Sequence, residues 1–139
     1  MSLYKMFKTE EAIEKTGIRV TYGSNSKGAE IAIHVGRAGG KNEAFQRVAD
    51  HVLKPYRRQI SGETIDPKQL RSLMMIVYAR AVVKGWEGVE DENGVAIPFT
   101  EENCVKLFED LPDLFADVQA NADQLSNFRK EDLKAEAKN

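Results

Sequence analysis

Residues 70–86 have the sequence LRSLMMIVYARAVVKGW, and the rest of the chain can be interpreted around this stretch. Leu70, Leu73 and Val77 recur at spacings of three and four residues, which is the period of one face of an α-helix. Apolar residues also occupy most of the remaining helix surface, so other elements should cover it on several sides. The pattern therefore predicts a central apolar helix over residues 67–84.

Both ends of this helix carry typical boundary residues. Asp66 can cap the first turn and Pro67 suits the first helical position, while Gly85 suits a C-terminal cap. Arg71 and Arg80 lie inside the helix, which is also too short for a membrane span. We therefore expect no membrane association.

The composition is typical of one soluble domain over residues 1–139, with 42% hydrophobic and 30% charged residues. The net charge of -2 gives no general sign of nucleic-acid or membrane binding. The single cysteine, Cys104, excludes an internal disulfide, and the two histidines lie too far apart in sequence for a typical zinc site. We therefore expect no cofactor and no metal.

Two segments before the central helix alternate with the period of a β-strand, and the turn-forming sequence GSNSKG separates them. The first is residues 18–22, and the second places Ile31, Ile33 and Val35 on one face. They predict an N-terminal β-hairpin at about residues 18–35, in a mostly α (α+β) fold. Because unpaired strand edges pair with other chains, Ile31, Ile33 and Val35 are our candidate self-association residues.

Further helices are marked by their boundary residues. Asn42 is expected to cap a helix that begins at Glu43 and that Pro55 bends or ends. Thr100 is expected to cap a later helix, and Pro112 is well placed to begin the next one.

An acidic segment, residues 87–98, lies between the central helix and these last helices. Asn93 and Gly94 predict a tight turn, or a small hairpin, between Val89 and Ile97. The spacing of its carboxylates does not match an EF-hand calcium loop.

Residues 120–139 form a polar tail in which apolar residues are widely spaced among charged ones. The segment is rich in good helix formers but has no apolar stripe of its own. We expect a helical tail that either frays or lies along a partner.

The sequence contains no GxSxG, HExxH, CxxC or Walker pattern. Gly40 and Lys41 are followed by Asn42, where a phosphate loop requires Ser or Thr. Cys104 fits a half-buried helix position better than a nucleophile. We therefore expect a protein that acts by contact, and not an enzyme.

Lys54, Arg57 and Arg58 form the most basic patch of the chain, beside Tyr56. Arginines beside an aromatic ring can hold phosphate and stack bases, so a small nucleic-acid-binding adaptor is the alternative function. Three cations in an acidic chain are nevertheless a weak electrostatic footprint. A solvated face, or a patch for an acidic protein partner, explains them better, and no nucleic acid is expected.

Three stretches carry a family resemblance: RAGGKNEAF at 37–45, KPYRR at 54–58, and GWEGVEDENGVAIPFTEENCVKLFEDLPDLFADVQ at 85–119. In this order, and followed by a polar tail that ends in Ala-Lys-Asn, they resemble the tail assembly chaperones of long-tailed bacteriophages and prophages. The resemblance covers about residues 4–139, which is almost the whole chain.

The resemblance implies a mostly helical protein in the cytoplasm of the bacterial host. Such chaperones coat the tape measure protein while the tail tube is assembled, and they leave before the virion is complete. The resemblance also implies self-association, often a longer frameshifted form, and no catalytic residues. Residues 137–139 can be encoded as GCA AAA AAC, a run on which translation can slip back by one base, so we predict a frameshifted form as a further partner.

A coating protein needs an apolar groove between helices that receives amphipathic helical segments. Our candidates for exposed partner contacts are Phe99, Leu111, Leu114, Phe115 and Phe128. Helical aromatic residues often belong to the core, and this is the alternative interpretation for most of these residues, above all for Phe115.

Overall fold

The computed structural model describes residues 2–129, which are mostly helical and include one small β-sheet, as the sequence predicts. The helices are α1 (Leu3–Phe7), α2 (Glu11–Thr16), α3 (Glu43–Leu53), α4 (Arg57–Ser61), α5 (Pro67–Ala81), α6 (Glu101–Asp110) and α7 (Pro112–Asp123). The strands are β1 (Ile18–Ser24), β2 (Glu30–Val35) and β3 (Val83–Glu87). Short 3-10 turns occur at Lys54–Tyr56 and Leu125–Asn127.

The predicted polar tail is described only in part. Helix α7 continues to Asp123, and the 3-10 turn at Leu125–Asn127 follows it. Residues 130–139 lie outside the described residues, and so does the predicted frameshift site at 137–139. The frameshifted form stays a prediction, which the codons of the gene can test.

The sheet is antiparallel, with the strand order β1-β2-β3. β1 and β2 form the predicted hairpin, in which Ile18 lies opposite Val35. The side chain of Asn25 closes the hairpin loop, because its Oδ1 accepts hydrogen bonds from the backbone N–H groups of Lys27 and Ala29. β3 then pairs with the other edge of β2, so β2 is the central strand.

The central helix is shorter than the sequence predicts, and the prediction of a helix over 67–84 is wrong in its last turn. Helix α5 ends at Ala81, and the chain enters β3 at Val83. Adjacent β-branched residues at 82 and 83 suit a strand better than a helix end. Gly85 therefore lies within β3, opposite His34, and does not cap the helix.

Helix α5 is nevertheless the element around which the core is built. It packs against α3, α6 and β3, and its buried residues are Met75, Val77, Tyr78, Ala79 and Ala81. Three aromatic rings connect it to the last two helices. The ring centroid of Phe115 lies 5.4 Å from that of Tyr78 and 5.0 Å from that of Phe108.

The candidate self-association residues do not lie on a free strand edge. Ile33 and Val35 are buried against the helices, and Ile31 is half-buried. All three belong to β2, whose two edges are already paired by β1 and β3. Burial removes Ile33 and Val35 from any contact with a second copy that leaves this fold intact.

Two of the predicted helix caps are confirmed. Asp66 accepts a hydrogen bond from the backbone N–H of Lys68, and Thr100 accepts one from that of Asn103. Asn42 precedes α3 but makes no cap hydrogen bond. Its buried side-chain amide instead donates to the carbonyl oxygens of Arg37 and Ala81, and it thereby fastens the loop before α3 to the end of α5.

A buried carboxylate holds α2 in place. Glu14 is fully buried, and it accepts hydrogen bonds from the Arg37 guanidinium at 2.5 Å and from the backbone N–H of Lys41 at 2.8 Å. Burial raises the pKa of Glu14, but the hydrogen bonds from Arg37, Thr9 and Lys41 together lower it by more than burial raises it. The net pKa of Glu14 therefore lies below its ordinary value. The charged form of Glu14 is therefore the form that stabilises this fold.

Candidate partner-binding groove

The predicted acidic turn is present between β3 and α6, and we name residues 89–97 the acidic turn. The Oδ1 atom of Asp91 accepts hydrogen bonds from the backbone N–H groups of Asn93 at 2.8 Å and Val95 at 3.0 Å. The backbone N–H of Ile97 donates to the carbonyl oxygen of Val89, and this bond closes the turn as a small hairpin. Gly94 adopts φ 77°, a conformation that glycine takes without strain.

The acidic turn is fastened to the loop between β1 and β2. Both carboxylate oxygens of Glu90 accept hydrogen bonds from Ser26, one from its backbone N–H and one from its hydroxyl group. The hydrogen bond from the Ser26 N–H is the main reason that the pKa of Glu90 lies below its ordinary value. Lys27 adds a hydrogen bond to the carbonyl oxygen of Gly94. These contacts fix the position of the turn on the rest of the fold.

A groove of about 510 Å³ separates the acidic turn from α6. Its apolar lining residues, which we name the floor, are Ile97, Leu107 and Leu111. Leu111 is 48% exposed, although it is a large apolar residue at the junction of α6 and α7. A partner that covered this side chain would gain the free energy of removing apolar surface from water.

The charged residues that line the groove, which we name its rim, are mainly acidic. Glu90 and Asp91 already serve the turn itself, whereas Glu92 and Asp110 are exposed and form no ion pair within residues 2–129. Lys106 is the one cation among the residues that line the groove. The groove therefore combines an apolar floor with an excess of negative charge.

The structure places the five candidate contact residues in different surroundings. Leu111 lies in the groove. Phe99 is half-buried and packs edge-on against Trp86, with ring centroids 5.0 Å apart, and Leu114 is half-buried against the core. Phe115 and Phe128 are buried and are core residues, so they are not exposed contacts.

Phe115 and Phe128 are buried for identifiable reasons. The ring of Phe115 lies against those of Tyr78 and Phe108. Phe128 follows the last 3-10 turn, and its carbonyl oxygen accepts a hydrogen bond from the backbone N–H of Glu10. The described part of the tail therefore packs back onto the N-terminal segment, which the sparse apolar pattern of the tail did not predict.

The basic patch lies outside the groove. Lys54, Arg57 and Arg58 are exposed, and none of them lines the groove. The guanidinium of Arg57 lies 3.4 Å from a carboxylate oxygen of Asp50, and this pair partly neutralises the patch.

Within the described range, no group of three or more His, Cys, Asp or Glu side chains is arranged to hold a metal ion. The same residues contain no helix with the length and hydropathy that crossing a bilayer requires.

Cys104 is buried in α6, and this burial, with a smaller contribution from Glu101, raises the pKa of its thiol to about 12.

Of the residues that line the groove, the sequence identified only Leu111 as a contact residue. Glu92 and Ile97 were assigned to a turn and Asp110 to a helix, and nothing indicated that the two elements lie side by side. Their proximity depends on the hydrogen bonds between the acidic turn and Ser26, which is more than sixty residues away in the chain. No local pattern carries that information.

The chain is similar to a family of prophage proteins. Residues 40–139 match the family model described as YdaY prophage protein. No curated protein and no solved structure matches the chain. The matched region includes α3 to α7 and thus every residue of the groove. Because it covers well over half of the chain, the protein belongs to the YdaY prophage protein family.

Proposed function

We propose that this protein is a phage tail assembly chaperone that binds the tape measure protein and keeps it soluble in the bacterial cytoplasm. It acts by contact, without catalysis, and leaves before the virion is complete. The family membership supports a prophage protein, and the resemblance of residues 37–45, 54–58 and 85–119 supports the chaperone role. The structural observation that carries the proposal is the apolar groove with exposed Leu111.

The groove suits one amphipathic helical segment of a partner. Its floor of Ile97, Leu107 and Leu111 accepts an apolar stripe, as helix-in-groove complexes require. Its rim favours segments in which Lys or Arg residues flank that stripe, because Glu92 and Asp110 have no ion pair in the described chain. Such a groove can bind any helical segment that has this apolar and basic pattern, without a specific short motif. A protein that coats a long helical partner needs this breadth of binding.

The test is co-expression with the neighbouring large, coiled-coil-rich reading frame, followed by pull-down in high salt. The wild-type chain should bring the large protein into the soluble fraction. Leu111→Glu should weaken its capture about tenfold or more, because a buried carboxylate replaces an apolar contact. Val95→Glu is the matched control, since Val95 is 60% exposed on the acidic turn but does not line the groove.

Two results would overturn the proposal. Equal loss of capture in both variants would show that the groove is not the contact surface. If the large protein stays insoluble while the chain retains nucleic acid at low salt, the chaperone role is wrong. Loss of that nucleic acid in Arg58→Ala would then assign the function to the basic patch.

A further inference from the structure

The N-terminal segment of residues 2–8, which we name the arm, consists of α1 and the residues on either side of it. Every side chain of the arm is exposed. Leu3, Tyr4 and Phe7 are 72%, 79% and 59% exposed, which is unusual for three large apolar residues within one helical turn. Within residues 2–129, the arm makes hydrogen bonds only to itself, including one from the Lys5 N–H to the Ser2 hydroxyl.

An isolated helix of this length is not stable in water, because nucleation costs more than one turn of hydrogen bonds returns. The side chains of the arm also differ in character around α1. Leu3 and Phe7 are four residues apart in the helix and share one face, whereas Lys5 lies on the other face and Lys8 follows the helix as its C-cap residue. The arm is thus a basic, amphipathic turn that needs a surface to pack on.

The groove has the complementary character. Its apolar floor matches Leu3 and Phe7, and the unpaired carboxylates of Glu92 and Asp110 match Lys5 and Lys8, which form no ion pair within the described residues either. No residue of the arm lines the groove of its own chain. We propose that the arm of one copy docks in the groove of a second copy, with its lysines against the acidic rim.

The contact is heterologous, because the arm and the groove are different surfaces of the molecule. Two variants that each retain only one competent half can therefore still bind each other. The proposal concerns the same groove as the proposed function but does not depend on it. One groove cannot hold an arm and a tape measure segment together, so the two contacts exclude each other there.

The test is sedimentation velocity of the chain alone over a range of concentrations. The wild type should self-associate, and rising salt should weaken the association, because exposed charges are screened. Lys5→Glu/Lys8→Glu in the arm should weaken it about tenfold or more, and so should Glu92→Lys/Asp110→Lys in the groove. Lys54→Glu/Arg58→Glu is the control, since it makes the same charge change as the arm variant at exposed residues outside both surfaces.

A mixture of the arm variant and the groove variant decides the proposal. Glutamates in the arm of one variant then face lysines in the groove of the other. The two variants should therefore form heterodimers when mixed, although each variant by itself associates only weakly. The proposal is overturned if the wild type is monomeric throughout, if the control weakens association equally, or if the mixture stays monomeric. Unchanged thermal unfolding midpoints show that each variant is folded. Because no tape measure protein is present, a failure here is separate from a failure of the proposed function.

Discussion

The two faces of α6 have very different surroundings. Cys104 and Phe108 are buried against α5 and α7, and Phe108 contacts Phe115. Leu107, one residue before Phe108, and Asp110, two residues after it, line the open groove, and Leu111 follows them at the end of the helix. Leu107 and Phe108 are both apolar and adjacent in sequence, yet Phe108 belongs to the core and Leu107 lines the groove.

Within one helix, this contrast separates the residues that stabilise the fold from those available for the proposed contact. The inner face has no room for change, because protein interiors are packed as densely as organic crystals. The outer face already leaves apolar surface in water, so changes there alter little in the isolated protein. The same distinction applies to charges, since Glu14 is fully buried and paired with the half-buried Arg37, while Glu92 and Asp110 are exposed without an ion-pair partner in the described chain.

Truncation of a buried residue of α6 and of Leu111 in the groove should give the largest difference. Phe108→Ala should lower the free energy of unfolding by about 4 kcal/mol, because it leaves a cavity in the core. Leu111→Ala should change it by less than about 1 kcal/mol, because the side chain is 48% exposed. Chemical denaturation of both variants measures these values. Similar losses in the two variants would show that the groove face belongs to the core.

Loss of the buried ion pair Arg37–Glu14 should cost more stability than loss of the exposed pair Arg57–Asp50, but the difference should be smaller than that between Phe108→Ala and Leu111→Ala. Arg37→Ala should cost about 3 kcal/mol, because it leaves the buried Glu14 carboxylate without its cation. Arg57→Ala is the matched control and should cost less than about 1 kcal/mol, because Arg57 and Asp50 are both exposed. Urea denaturation curves measure both effects. An equal cost would mean that solvent screens the Glu14 pair as well.

Acidification should give the smallest and most selective effect. The pKa of Glu14 is lower in the folded chain than its ordinary value of 4.5, so its contribution is present above 4.5 and is lost as the pH falls through the folded pKa. Glu14→Gln should therefore lose less stability than the wild type over that range, although it is less stable at neutral pH. Parallel pH profiles of the two unfolding free energies would contradict this assignment.

The sequence predicted those elements whose signals are local. The hairpin, the caps at Asp66 and Thr100, and the break before Pro112 all depend on neighbouring residues, and the structure confirms them. The end of α5 was wrong because residues 82–86 fit a helix or a strand equally well in isolation. Their pairing with β2 decides the outcome, and β2 lies some fifty residues earlier in the chain.

The groove was only partly predictable for the same reason. Leu111 was named as an exposed contact residue and is exposed, whereas Phe115 and Phe128, which were named with it, are core residues. Periodicity shows which residues share a face, but it does not show what covers that face. Likewise, the sequence did not indicate that Glu14 is buried and paired, because its partner Arg37 approaches only after the hairpin between them has formed.

The position of β2 has a consequence for synthesis. The chain leaves the ribosome from its N-terminus, so β1 and β2 can pair as soon as residues 18–35 have emerged. The other edge of β2 stays open until residues 83–87 arrive, after α3 and α5 have been made. An open edge on a nascent chain invites pairing with neighbouring polypeptides. Rapid translation between residues 36 and 82 would shorten that exposure, so codon choice in this interval bears on the yield of folded protein.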